Sequence, residues 1–202
     1  MTATLFIIIA TVLISISAFG NPRVFEQLKF NAHDIRQQNQ YYRFLGYGLL
    51  HVDYMHLLVN MFVLFSFGNN VEIIFRDHFG ESGRLYYVLL YIGGLLFSVV
   101  PAYLKHMGNP HYNAVGASGA VSSVLFASIL VYPQGSVVFI FFPVPIPAFV
   151  FGLLYLLYSA YMAKRGTDQI GHDVHFWGAV FGIVFTALLD FSLLLRFIDY
   201  VF

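Results

Sequence analysis

The chain has 202 residues, of which 59% are hydrophobic and only 10% are charged, with ten basic and ten acidic side chains. Soluble domains carry about 25% charged residues, so this composition places the chain in a lipid bilayer. The absence of cysteine excludes disulfides, thiolate metal sites and a cysteine nucleophile. Because the charge is balanced and no basic run is present, we expect no nucleic-acid partner.

Six apolar segments follow one another along the chain, each near the length of about 17–25 residues that spans a bilayer. They lie at residues 3–19, 54–75, 84–104, 117–132, 147–163 and 175–195. The first has no basic leader and continues into more membrane sequence, which favours a spanning helix over a cleaved signal peptide. The sequence therefore predicts an all-α, multi-pass membrane protein, with residues 1–202 forming one domain of six transmembrane helices.

Two connections between these segments have distinctive compositions. Residues 20–53 mix basic and acidic side chains with many aromatics, which is typical of a loop lying in the membrane interface. Residues 133–147 carry no charge, and their alternating prolines forbid a helix.

The fourth segment is short for a membrane span. Ser118 to Tyr132 is 15 residues, about 22 Å of helix against a hydrocarbon core of about 30 Å. Ser118 is therefore expected below one membrane surface. Backbone that begins at such a depth must be buried in protein or line a wet cavity. The sequence thus predicts a water-accessible cavity inside the membrane.

Alternation of the crossings collects the polar side chains at one end of the bundle. Segments two, four and six all begin on the same side of the bilayer. His56 and Asn60 lie at the start of segment two, Ser118 at the start of four and His175 at the start of six. We expect these four side chains at a similar depth.

Ser118 lies in the sequence Gly116-Ala117-Ser118-Gly119, at the first turn of an apolar helix. Such a helix end gathers unpaired N–H groups and a positive dipole, which stabilise a developing oxyanion. His56 and Asn60 are four residues apart on one helix face and both can donate hydrogen bonds. The alternatives are that the serine is a small packing residue and that the pair is polar glue between helices.

His175 opens the pattern HxxGxxxG, which places Gly178 and Gly182 on one smooth strip. Such a strip lets another backbone approach closely, and Gly119 is a matching small residue. A histidine brought within reach of the serine could act as its base. Asp173 is expected to point into the loop, and Asp190 is about 22 Å further along the helix. The sequence therefore predicts a Ser-His dyad without an acid.

In order and spacing, three motifs of this chain resemble the intramembrane rhomboid serine proteases. They are H-x4-H-x3-N at His51, His56 and Asn60, GASG at 116–119, and HxxGxxxG from His175. Tyr42-Arg43 is similar to an aromatic-Arg pair in the family's first loop, and Glu72 to a glutamate that ends its second helix.

The resemblance implies a function and a set of roles. Ser118 would be the nucleophile and His175 the general base, with His56, Asn60, Gly116 and Ala117 supporting the oxyanion site. The remaining motif residues would be structural: His51, Arg43, Glu72, Gly119, Gly178 and Gly182. The family's substrates are membrane proteins with a transmembrane helix, so the implied partners are such proteins and the lipid bilayer. No cofactor or metal is expected, and the sequence does not indicate an oligomeric state.

The chain departs from the family pattern at Ser122. Several members of the family carry at this position a tyrosine that stacks on the catalytic histidine. The Ser122 hydroxyl and Trp177 are the candidates for orienting His175 instead. The aromatic fifth segment, with Phe149 near its start, is a candidate lateral gate for substrate. Its aromatic residues are equally typical of a helix that simply faces lipid.

The basic residues and the family resemblance predict opposite orientations. Seven basic residues lie on the side of the active-site loops, Arg23, Lys29, Arg36, Arg43, Lys105, Lys164 and Arg165, against Arg76, Arg84 and Arg196 on the other. This count would place the site in the cytoplasm. The resemblance implies a bacterial inner membrane with the site opening to the outer face, and we adopt that expectation because the long first loop weakens the count.

Two other functions compete with proteolysis. Histidines on different helices could bind haem or relay protons for transport. A non-catalytic relative could instead bind membrane clients on the same scaffold, although such relatives typically lack the serine or the histidine.

Overall fold

The computed structural model describes residues 1–139, 142–165 and 171–202, which are mostly helical. The helices are α1 Ala3–Phe19, α2 Pro22–Leu28, α3 Ala32–Gln38, α4 Arg43–Gly46, α5 Tyr54–Phe79, α6 Gly83–His106, α7 Ser118–Val131, α8 Ala148–Arg165, α9 His172–Leu189 and α10 Phe191–Val201. Short 3-10 turns lie at Tyr47–Leu49 and Gly80–Ser82. Two antiparallel strands, β1 Ser136–Phe139 and β2 Phe142–Pro147, pair with Ser136 opposite Pro147.

Helices α1 and α5 to α9 lie on the six predicted apolar segments, with two differences. The all-α prediction was wrong within the connection in which the sequence excludes a helix: Ser136–Phe139 and Phe142–Pro147 pair there as β1 and β2, since prolines are tolerated in edge strands. The prediction of one helix over 175–195 was wrong at Asp190, whose backbone is extended (φ −155°, ψ 108°). Its carboxylate accepts from the Ser192 N–H and so starts α10 as a new helix.

Two described helical stretches are long and apolar enough to cross a bilayer. They are Tyr54–His106, which contains α5 and α6, and α9, whereas α1 and α7 are shorter apolar helices. The six crossings expected from the sequence therefore stay a prediction.

The long helices alternate in direction. Phe19 at the end of α1 packs on Tyr54 at the start of α5, with ring centroids 4.5 Å apart. Tyr155 of α8 contacts His175 of α9, and Tyr158, further along α8, contacts His172, which comes earlier in α9. Neighbours along the chain are therefore antiparallel, and α5, α7 and α9 begin at the same end of the bundle.

Apolar surface faces outward and polar groups lie inside. On α5, Leu58, Phe62 and Phe65 are 62%, 49% and 56% exposed. Thr11 of α1 and Ser98 of α6 are buried. An apolar exterior with small hydroxyl groups between helices is the arrangement expected of a bundle in lipid.

The carboxylate of Glu72, buried near the end of α5, caps the start of α1. It accepts the Ala3 N–H at 2.8 Å and the Thr4 N–H at 3.0 Å, and the Thr4 hydroxyl donates to it as well. These are two of the amides that the first turn of a helix leaves unpaired. Arg84 forms an ion pair with the same carboxylate at 3.5 Å. Glu72 thus ties α1 to α5.

We expect Glu72→Ala to destabilise the fold far more than Arg84→Ala. The first change leaves two helix-start amides without acceptors, at about 1–3 kcal/mol each. The second removes a half-exposed ion pair, worth about 0–1 kcal/mol. Thermal unfolding of both variants in detergent measures the difference, and equal melting temperatures would contradict the capping role.

Candidate active site

The first turns of α7 and α9 lie side by side because the two helices are parallel and in backbone contact. A Cβ on Gly178 would overlap the Gly119 carbonyl oxygen, and one on Gly182 would overlap that of Ser123. The second contact lies four residues after the first on both helices. Each residue of α9 therefore lies at the height of the α7 residue 59 positions before it. Ser118 is then level with residue 177, and His175 is two residues, about 3 Å, from that level.

Ser123 fastens this contact with a shared hydrogen bond. Its hydroxyl lies 3.0 Å from the Gly119 carbonyl of its own helix and 2.8 Å from the Gly178 carbonyl of α9. Buried hydroxyls commonly satisfy neighbouring carbonyls in this way. The glycine strip predicted on α9 therefore meets α7 at a defined register.

Gly116 shapes the turn before Ser118. Its φ of +125° is a conformation that only glycine adopts readily. A Cβ there would lie 2.8 Å from Cε1 of the His56 ring and 3.8 Å from the Ser118 Oγ. Gly116 thus separates the imidazole of α5 from the hydroxyl of α7 without filling the space between them.

His51 holds the next residue of this turn through a single tautomer. The Ser15 hydroxyl donates its one hydrogen to the Leu49 carbonyl at 2.8 Å, so it accepts from Nδ1–H of His51 at 3.0 Å. Nε2 is then unprotonated and accepts the Ala117 N–H at 3.5 Å. Burial, reinforced by nearby His56, lowers the pKa of His51 to about 3. A neutral histidine therefore links α1 to the turn that carries Ser118.

The chain between α1 and α5 braces the same turn from outside. The Tyr47 carbonyl accepts the Gly116 N–H at 3.0 Å, and Phe30 exchanges two backbone hydrogen bonds with Ala114. Arg43 is buried and donates to the carbonyls of Glu26 and Lys29 at 2.8 and 2.7 Å. The predicted interfacial loop is thus folded into short helices that support the serine turn.

His56 and Asn60 lie on α5 beside this turn. The Asp53 carboxylate caps α5 by accepting the His56 N–H at 2.7 Å. The Asn60 amide donates to the His56 carbonyl at 2.9 Å, so one of its two N–H groups is already used within the helix. The His56 Nδ1 is buried and has no hydrogen-bond partner among the described residues.

Ser118 and His175 are both half-buried, and the described residues give no hydrogen bond between their side chains. His56 and His172 are near enough to His175 to interact with it electrostatically. Serine–base hydrogen bonds are often long in proteins without substrate and tighten only when it binds. The structure brings the two side chains to one end of two contacting helices and leaves the hydrogen bond between them unformed.

Sequence reasoning missed the aromatic neighbour of His175. Tyr155 of α8 stacks on the imidazole with ring centroids 6.3 Å apart, and its hydroxyl lies 2.8 Å from the Ser122 Oγ. Trp177, the predicted alternative, is 41% exposed and packs on Phe176. Since α8 is antiparallel to α9, residue 155 falls at the height of 175, but spacing alone could not show which face of α8 turns inward.

The two aspartates considered for a triad lie outside this cluster. Asp190 pairs with His78 at 2.7 Å, at the far end of α5 and α9. Asp173 lies in the first turn of α9, and no described hydrogen bond joins either carboxylate to His175.

The sequence model of one family, the Rhomboid domain, matches residues 38–191. RHOMBOID-like protein 12, mitochondrial, of Arabidopsis thaliana is 25% identical over 64% of this chain and 40% of that protein. Presenilin-associated rhomboid-like protein, mitochondrial, of Mus musculus is 29% identical over 66% and 34%. Rhomboid protein 1, mitochondrial, of Saccharomyces cerevisiae is 27% identical over 70% and 40%.

The chain spans about a third to two fifths of the length of these relatives. All three are named as mitochondrial proteins of eukaryotes. The expected bacterial inner membrane therefore finds no support among them.

We expect Gly178→Ala to separate α9 from α7, because the added methyl group meets backbone rather than a side chain that can rotate. Overpacking of this kind costs about 1–3 kcal/mol. Gly108→Ala is the matched control, since a Cβ there has no neighbour within 4 Å. Thermal unfolding of the two variants checks the difference, and a Gly178→Ala protein as stable as the control would refute the close contact.

We expect His51 to make the fold less stable in acid. The folded protein keeps His51 neutral down to a pKa of about 3, whereas the unfolded chain binds the proton near pH 6.5. The contribution of neutral His51 to the free energy of unfolding is therefore full above pH 6.5. It is lost as the pH falls, by about 2 kcal/mol at pH 5. Unfolding of wild type and His51→Asn at pH 7 and pH 5 measures this, and equal losses in both would contradict it.

Proposed function

The chain belongs to the rhomboid family, and from that premise we propose that it is an intramembrane serine endopeptidase. It would hydrolyse peptide bonds in or near transmembrane segments of membrane proteins. The observation that supports the proposal is the backbone contact of α7 and α9, in whose register the first turns that carry Ser118 and His175 lie side by side. A hydroxyl and an imidazole in that position suit a nucleophile and its base.

In this mechanism His175 accepts the Ser118 proton while Oγ attacks the scissile carbonyl carbon. The tetrahedral intermediate collapses, the C–N bond breaks and His175 returns the proton to the leaving amine. Water then attacks the acyl-enzyme while His175 accepts its proton. The bond to the Ser118 Oγ breaks, His175 returns the proton to that oxygen, and the acid is released.

The donors available for the oxyanion support the same proposal. Among the residues that the structure describes, Thr2, Asn31 and Asp53 cap the first turns of α1, α3 and α5, whereas no side chain caps the start of α7. Its first amides, including that of Ser118, are therefore available to a substrate oxygen. His56 lies across Gly116 from Ser118, and Asn60, one turn further along α5, has a second N–H to donate, so both are candidates to assist.

We place this chemistry inside a bilayer, with α1 and α5 to α9 as six crossings. The apolar outer surface of the helices supports that arrangement. Helix α8 is the candidate substrate gate, and its outer face exposes Leu153, Leu157 and Tyr161. Phe149 packs on Tyr200 of α10 and lies about 9 Å along α8 from Tyr155, so gating by Phe149 would act at a distance from Ser118.

Cleavage of a single-span membrane substrate in proteoliposomes tests the function. We expect wild type to cleave it and Ser118→Ala and His175→Ala to lose at least about 10³-fold in rate, because a nucleophile and its base act as a unit. Ser66→Ala, which changes a serine of α5 whose described hydroxyl hydrogen bond is to Phe62 of its own helix, should cleave like wild type.

Three results would contradict the proposal. Equal cleavage by all four proteins would remove Ser118 and His175 from the mechanism. Capture of the substrate without cleavage by the wild type would favour a client-binding protein, and a haem absorption band in the purified protein would favour the histidine-based alternative.

A further inference from the structure

The ring of Tyr155 is held on three sides. Phe126 of α7 and Phe151 of α8 flank it, with ring centroids 5.7 and 5.9 Å away. Its hydroxyl is hydrogen-bonded to the buried hydroxyl of Ser122 at 2.8 Å. The ring therefore has a fixed place between α7 and α9.

His175 lies against this fixed ring. The two planes are 25° from parallel with centroids 6.3 Å apart, which is within the range of offset aromatic stacking. His172 meets the imidazole edge-on at 6.0 Å. No hydrogen bond to the imidazole appears among the described residues, so ring contacts are what limit its rotation there.

Ser122 allows the tyrosine to come from another helix. It lies one turn after Ser118 on the same face of α7, and its hydroxyl contacts that of Tyr155. The short side chain of Ser122 brings its hydroxyl within hydrogen-bond distance of the Tyr155 hydroxyl and so anchors a ring that enters from α8.

We propose that Tyr155 is a positioning residue for His175, and that Ser122 fixes Tyr155 in turn. The proposal rests on the proposed function, because it assigns His175 the role of base. Since Tyr155 belongs to α8 and His175 to α9, the orientation of the base then depends on how closely these two helices pack.

The test compares Tyr155→Leu, Tyr155→Phe and Ser122→Ala with wild type. A fluorophosphonate that labels Ser118 reports on the dyad without a protein substrate, and cleavage assays give kcat and KM. We expect Tyr155→Leu to lower the labelling rate and kcat about tenfold, with KM within about twofold, because a misplaced base slows chemistry rather than binding. Tyr132→Leu, which changes an exposed tyrosine at the far end of α7, should behave like wild type.

The hydrogen bond is tested by a double-mutant cycle. Tyr155→Phe keeps the ring and loses the hydroxyl, and Ser122→Ala removes its partner. We expect each to lower kcat about threefold and the double variant to be no slower than either, because both break one interaction. This cycle decides the matter even if Tyr155→Leu fails to fold.

The outcomes separate the inference from the proposed function. A wild type that is neither labelled at Ser118 nor active overturns both. An active wild type with Tyr155→Leu at the wild-type rate, or with additive effects of the two conservative variants, overturns the role of Tyr155 alone. A fall in kcat together with non-additive conservative variants supports it.

Discussion

The site depends on the backbone contact between α7 and α9. At Gly178 and Gly182 any side chain would enter the backbone of α7, so the absence of a Cβ is what lets the helices touch. The Ser123 hydroxyl then spans the contact and fixes the register. Because both helices run in the same direction, this register aligns their first turns, and with them Ser118 and His175.

Three other polar side chains of the interior also bond backbone groups. Glu72 accepts amides of α1, His51 accepts the Ala117 amide, and Arg43 donates to two carbonyls before α4. In lipid an unpaired backbone group is costly, so each such bond fixes where a chain segment must lie. His51 and Arg43 thus support the turn at Gly116, which separates His56 from Ser118, whereas Glu72 fixes α1 against α5.

Ser122 stands where several family members have a tyrosine, and it illustrates why a motif is an incomplete description of a site. A ring beside an imidazole can come from any element that passes it, since stacking needs a plane at the right distance and not a particular position in the chain. Here the antiparallel course of α8 brings Tyr155 to the height of His175. Comparison of α7 with the family pattern showed that the ring was absent at Ser122. Tyr155 of α8 provides a ring beside His175 instead.

The sequence by itself determined the apolar segments, the common end of α5, α7 and α9, and the strip of Gly178 and Gly182, because helix period and alternation follow from local composition. It also located Ser118 and His175 on that common end. The tertiary structure decided the end of α9 and the start of α10 at Asp190, the pairing of β1 with β2, the tautomer of His51 and the ring that faces His175. These features depend on contacts between residues far apart in sequence, and no local pattern carries that information.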